Sequence, residues 1–165
     1  MTENVQKRPV VYLDACFVSH WVGQDLDDPR QAEKHALSVE WWRKREGKVR
    51  PVVSHWVWSE ISGGKPEEAF QRGKLILGLE SWGPSAEAYA LADELVGDGA
   101  VRRKKKNDAL HIAHAAVGRA DVLLSWNFQD IVNEKKMTEI KAIVERAGYR
   151  CPLLASPKHP LEDMP

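Results

Sequence analysis

Three acidic residues stand where chemistry could be done. Asp14 closes the apolar run PVVYLD of residues 9–14, Glu60 sits among large apolar residues in SHWVWSEIS, and Asp108 opens NDALHIAHAA, a stretch otherwise patterned as a buried helix. Each has a structural alternative. Asp108 can complement the start of its helix, Asp14 can cap a helix over residues 15–21, and Glu60 can pair with a lysine or arginine. The chemical alternative is that the fold gathers these carboxylates to hold a divalent metal. Carboxylate oxygens suit hard ions such as Mg2+ and Mn2+, whose shells combine a few carboxylates with several waters. Close carboxylates also repel one another and raise at least one pKa unless a cation compensates, so such a cluster favours binding an ion.

The elements that must position these acids alternate along the chain. Short apolar runs at 9–14, 49–54, 121–126 and 151–156 read as strands. A helix is expected from about Asp28 to Glu46, where Ala32, Ala36, Val39 and Trp42 share a face and Gly47-Lys48 marks the stop. Short helical segments follow at 55–62 and 66–79, with Pro66 near the first turn of the second, then a brief segment at Glu80–Gly83 and a helix over 84–96. The NDAL helix spans 107–120, a loop and helix occupy 127–148, and the tail 156–165 reads as extended and loosely held. Short apolar strands alternating with helices predict one domain with its core at about 8–155, an α/β fold in which helices cover both faces of a parallel sheet. Sites in such sheets lie outside the carboxyl ends of the strands, which is where Asp14 falls.

With those residues in view, the chain resembles a known family. A first strand ending VYLD, a Glu on the helix after the second strand, an NDALHIAHA helix and LLSWNFQDI after the next strand are similar to the PIN domain, in particular the VapC-type toxins. The likeness runs in the right order over nearly the whole chain and is strongest from Asn107 to Ile131. It implies a three-layer α/β/α sandwich and a ribonuclease that depends on Mg2+ or Mn2+, in which Asp14, Glu60 and Asp108 match the recurrent acids. Asp14 and Asp108 are then direct ligands, Glu60 is a ligand or orients water, and Ser125 and Asn127 are supporting polar contacts. Many members carry an acid where this chain has Asn127. Asp130 either supplies an outer carboxylate or caps the following helix. The resemblance also implies a small antitoxin that occludes the site, and a homodimer.

Other features bear on that reading. His111 and His114 follow Asp108 at helical spacing, but without HExxH or paired cysteines they do not make a zinc set, and satisfied, partly buried histidines are the simpler expectation. His111 could still touch substrate. The basic run RRKKK of residues 102–106 lies just upstream of Asp108, where Arg103, Lys104, Lys105 and Lys106 could bind phosphates flanking the cleaved bond without reading bases. The second basic stretch, 41–50, reads as a solvated face. Of the 7 tryptophans, Trp21, Trp56, Trp58 and Trp126 lie near the acids and could stack a base or form a partner's groove, although core packing is the simpler role for any one.

Charge and composition narrow the classes. The 165 residues carry 24 Lys and Arg against 24 Asp and Glu, so the zero net charge argues against a protein that coats nucleic acid by bulk charge. Cys16 and Cys151 read as reduced, buried thiols, with no secretory signal and no apolar run near the roughly 18 to 20 residues that span a bilayer, which predicts a soluble, cytoplasmic protein. Three readings follow: a metal-dependent endoribonuclease, plausible as the toxin of a type II toxin–antitoxin pair; a PIN-like module that binds RNA or protein without cleaving; and a receiver-like or phosphatase-like domain. The last is disfavoured because Asp14 lacks the DxD companion of such sites.

Overall fold

All four residues of the first strand, β1 at Val10–Leu13, are buried, so this strand is covered on both faces. In the computed structural model, which describes residues 7–164, it lies at the middle of a five-stranded parallel sheet. The others are β2 at Arg50–Ser54, β3 at Glu80–Trp82, β4 at Val122–Leu124 and β5 at Leu153–Ala155, in the order β3-β2-β1-β4-β5. Every pairing is parallel, and the helices that cover the sheet make a three-layer α/β/α sandwich. They are α1 at Ala15–Val22, α2 at Pro29–Arg45, α3 at His55–Ile61, α4 at Pro66–Ile76, α5 at Ala86–Gly97, α6 at Lys106–Val117 and α7 at Glu134–Arg146.

Local chemistry sets the helix starts. The Asp28 carboxylate accepts from the Arg30 N–H ahead of α2, with Pro29 supplying a pre-set first turn. Ser85 accepts from the Ala88 N–H at α5, and Asn133 from the Lys135 N–H at α7. Gly118 ends α6 with the Trp82 ring packed so closely that a Cβ would lie 2.2 Å from it, so only glycine lets the edge strand's aromatic lie there.

Two expectations differ from the structure. Glu80–Gly83 contains the edge strand β3, which is short and mostly exposed and so lacks the apolar signature of the inner strands. The tail is not loose: a turn joins the His159 N–H to the Ser156 carbonyl, and Met164 is only 8% exposed within the core. A buried methionine holds the chain down. Among the described residues, no helix is long and apolar enough to cross a membrane.

Candidate active site

The register brings Asp14 to the carboxyl edge of the sheet. Leu13 pairs with Leu124, so the next residues, Asp14 and Ser125, stand side by side at the switch point where the chain leaves β1 and β4 in opposite directions. Asp14 is 2% exposed and is also the N-cap of α1, its Oδ1 accepting from the Phe17 N–H at 2.7 Å. The capping alternative is therefore real, and it uses one carboxylate oxygen. Burial pushes the Asp14 carboxyl up to about 6, with Glu60 adding to the rise while His111, a hydrogen bond to Ser125 and the Phe17 N–H oppose it.

Asp108 is not a cap. The N-cap position of α6 belongs to Lys105, and Asp108 stands in the first turn, where a carboxylate complements the dipole. Its Oδ2 is buried with no hydrogen-bond partner. Burial raises its pKa, Asp130 and Glu60 add to that, and His111 and Lys105 oppose it. A carboxylate oxygen left in this way costs free energy unless something outside the chain satisfies it.

Glu60, near the end of α3, forms no ion pair with a lysine or arginine among the described residues. Its Oε1 lies 3.2 Å from Nε2 of His111. His111, on α6, is 1% exposed, and its Nδ1 lies 2.9 Å from the Tyr12 hydroxyl, which is in turn 2.6 Å from the Ser54 hydroxyl. Burial disfavours the imidazolium, but Glu60, Asp14 and Asp108 together outweigh it and raise the His111 pKa. Burial also keeps Tyr12 protonated. With His111 charged the donors run one way: the His111 Nδ1–H to the Tyr12 oxygen, and the Tyr12 O–H to Ser54. His111 is therefore a buried partner of Glu60. His114 bonds through Nδ1 to the Leu110 carbonyl at 2.8 Å.

Asn127 and Asp130 differ from the roles expected of a free amide ligand and a helix cap. Asn127 is turned inward: its Oδ1 accepts from the N–H groups of Gln129 and Asp130 at 3.1 and 3.0 Å, and its own N–H donates to Ser125 Oγ. Its amide oxygen is committed to the turn and is no free ligand. Asp130 does not cap α7, which Asn133 caps; it is 1% exposed and clasps Arg102 at 3.0 and 2.7 Å and Lys136 at 2.9 Å. The Arg102 guanidinium, ahead of Lys136, holds the Asp130 carboxyl down to about 2. Of the basic run, Lys106 pairs with Asp93 at 2.9 Å, while Arg103, Lys104 and Lys105 are exposed and enter no ion pair among the described residues. Trp21 and Trp126 are 8% and 2% exposed and offer no open ring face, while Trp56 and Trp58 are half-buried and pack against the same core. Cys16 and Cys151 are free and half-buried, and burial lifts the Cys16 thiol to about 12, which removes it as a nucleophile.

The donor set bears on a metal. As placed, no three described His, Cys, Asp or Glu side chains form a group that could hold an ion. The carboxylates nevertheless act on one another, since Glu60 raises both Asp14 and Asp108, and the Asp108 Oδ2 is a buried carboxylate oxygen with no group donating to it. Oxygen donors of this kind would suit a hard divalent ion that keeps several of its waters. They do not make a zinc set.

No protein-family model matches the chain, and no curated protein matches it in sequence. Solved structures do match in shape. VapBC2 from Rickettsia felis, crystallised with a DNA fragment from its promoter, superposes with a TM-score of 0.54 at 16% identity over 89% of this chain and 98% of that one. The sarcin–ricin-loop-cleaving toxin VapC20 of Mycobacterium tuberculosis gives a TM-score of 0.53 at 12% identity over 84% of this chain and 95% of that one. With the sheet order and helical layers described above, these likenesses identify the architecture: the chain adopts the PIN-domain fold of VapC-like proteins.

Proposed function

We propose that the protein is a divalent-metal-dependent endoribonuclease that hydrolyses RNA phosphodiester bonds and serves as the toxin of a type II toxin–antitoxin pair. The observation that carries this reading is Asp108: a buried carboxylate oxygen without a partner, in a group where Glu60, Asp14 and Asp108 all act on His111. Asp14 and Asp108 are the residues that would hold Mg2+ or Mn2+. When bound, such an ion offsets negative charge developing on the phosphate and lowers the pKa of water. Glu60, fixed from behind by His111, orients the attacking water. Ser125 holds the Asp14 carboxyl, and Arg103, Lys104 and Lys105 hold flanking phosphates through charge alone. Asp130 acts at a distance, fastening the basic run to the loop after β4. The partner proposed is a small antitoxin covering the carboxylates. It is supported by the VapBC2 assembly in the similar structure, and the active form is taken to be a homodimer in the cytoplasm.

A second reading has one observation in its favour. Because the Asn127 amide oxygen is committed to its turn, the site has no fourth oxygen ligand there, as expected of a PIN-like module that binds RNA or protein without cutting. A cleavage assay with a panel of structured RNAs, run with Mn2+, with Mg2+ and with EDTA, separates the two. Cleavage that requires metal supports the nuclease, and intact RNA under every condition supports the binding module. Replacing Arg103, Lys104 and Lys105 together by Ala should weaken RNA binding and flatten its salt dependence by up to about three counterions, without altering the response to metal.

A further inference from the structure

A cleft of about 220 Å3 opens where the edge strand β3 meets α5 and α6, and His114 lines it. The imidazole is 3% exposed, and its Nδ1 is committed to the Leu110 carbonyl at 2.8 Å. Because a carbonyl only accepts, Nδ1 carries the proton, and in the neutral ring Nε2 is left with a lone pair. That nitrogen is buried and has no hydrogen-bond partner. The rings packed on His114 supply none, since His55 and Tyr89 meet it edge to face with centroids 5.1 and 6.1 Å away. Burial holds the His114 pKa below its ordinary value, with His55 and His111 adding to the fall against the Leu110 bond, so the ring stays neutral. Nε2 is an open acceptor.

The rest of the lining says what would donate to it. Arg50 is engaged by both Glu80 carboxylate oxygens at 2.7 and 2.6 Å, the Trp82 indole N–H donates to the same carboxylate at 3.1 Å, and Ser85 Oγ accepts from the Ala88 N–H while donating to Glu87. What is left is the Trp82 ring, Ala88, Val117 and Gly118. A water held in such a cleft meets one open acceptor, whereas an ordered water takes about two to four polar partners. One imidazole is likewise too few ligands for a transition metal. An aromatic ring that carries a single donor satisfies the nitrogen and covers the apolar walls. The cleft is smaller than the roughly 300 to 1,000 Å3 of a drug-sized site, which suits a molecule of one or two rings.

We propose that this cleft is a binding site for a small planar aromatic molecule with one O–H or N–H donor, of the phenol or indole class, whose donor bonds to His114 Nε2. The site is separate from the carboxylates, because His114 and Val117 follow Asp108 by about 9 and 14 Å along the axis of α6, and it does not rest on the ribonuclease reading. The test is an NMR titration with phenol and with anisole, which has the same ring and no donor, following the Trp82 indole N–H and the Gly118 amide. Phenol should shift both resonances saturably and bind about 5- to 150-fold more tightly than anisole. His114→Phe keeps a ring and should remove that preference, while Val117→Phe fills the cleft and should abolish both titrations. Should His114→Phe fail to fold, the comparison of phenol with anisole on wild type decides. No saturable shift with phenol overturns the proposal, as does equal affinity of wild type for phenol and anisole. A preference for phenol that survives in His114→Phe, or undiminished phenol binding by Val117→Phe, overturns it too.

Discussion

His111 holds Glu60 from behind: its Nε2 lies 3.2 Å from the Glu60 Oε1, while its Nδ1 lies 2.9 Å from the Tyr12 hydroxyl. The first contact is an ion pair whose alignment falls short of a good hydrogen bond, so the ring's position depends on the Tyr12 side. Tyr12→Phe removes that hydroxyl and leaves the Ser54 hydroxyl and His111 Nδ1 buried without it. The expected cost is about 1 to 3 kcal/mol, read as a lower urea midpoint at unchanged slope. An unchanged midpoint would show that the chain from Ser54 to Glu60 does not hold the site together.

Asp14 makes the metal-free protein respond to pH. Its folded pKa of about 6 lies above the ordinary carboxylate value, so its contribution to stability is fully present below about pH 4 and is lost as pH rises through 6. The raised pKa of His111 acts in the same direction. In EDTA, thermal stability should therefore increase as pH is lowered from 7 to 5, by about 1 kcal/mol from Asp14. Asp14→Asn keeps a cap for α1 and should flatten the slope. Adding Mg2+ or Mn2+ at pH 7 should raise the melting temperature of wild type by mass action and that of Asp14→Asn less. Equal slopes and equal metal responses in the two proteins would remove Asp14 from the site.

Asp130 works with the opposite sign. Its folded pKa, near 2, means that its stabilisation is present above the ordinary carboxylate pKa and is lost as pH falls toward 2. Arg102 and Lys136 are themselves partly exposed, which weakens the pairs, so Asp130→Asn should cost about 1 to 2 kcal/mol at neutral pH. It should also loosen the basic run from the loop after β4, raising KM for RNA more than it lowers kcat. A variant with wild-type stability and KM would reduce the clasp to a surface pair.

Much of this arrangement was legible in the chain because the residues concerned sit at element boundaries. Asp14 ends an apolar run and Asp108 opens a helical one, so their placement at the sheet's carboxyl edge follows from local pattern. What was not legible depends on packing between distant elements. Glu60 meets His111 only because α3 lies against α6, and Asp130 meets Arg102 only because the segment before α6 crosses the loop after β4. Asn127 was expected as a supporting polar contact, but one amide oxygen can also close a turn, and here it accepts from the two backbone N–H groups ahead of it. Nothing in the order of residues says that Trp126 is buried and Phe128 is exposed.

The measurement that bears most directly on the central claim is metal-dependent cleavage by Asp108→Asn of an RNA that wild type cuts. Because Asp108 makes no capping bond and its charge is disfavoured by burial, the substitution should leave metal-free stability nearly unchanged or slightly higher. Cleavage, in contrast, should fall by about a hundredfold or more if this carboxylate helps hold the ion that stabilises the transition state. An Asp108→Asn protein that folds normally and cuts as fast as wild type would contradict the account.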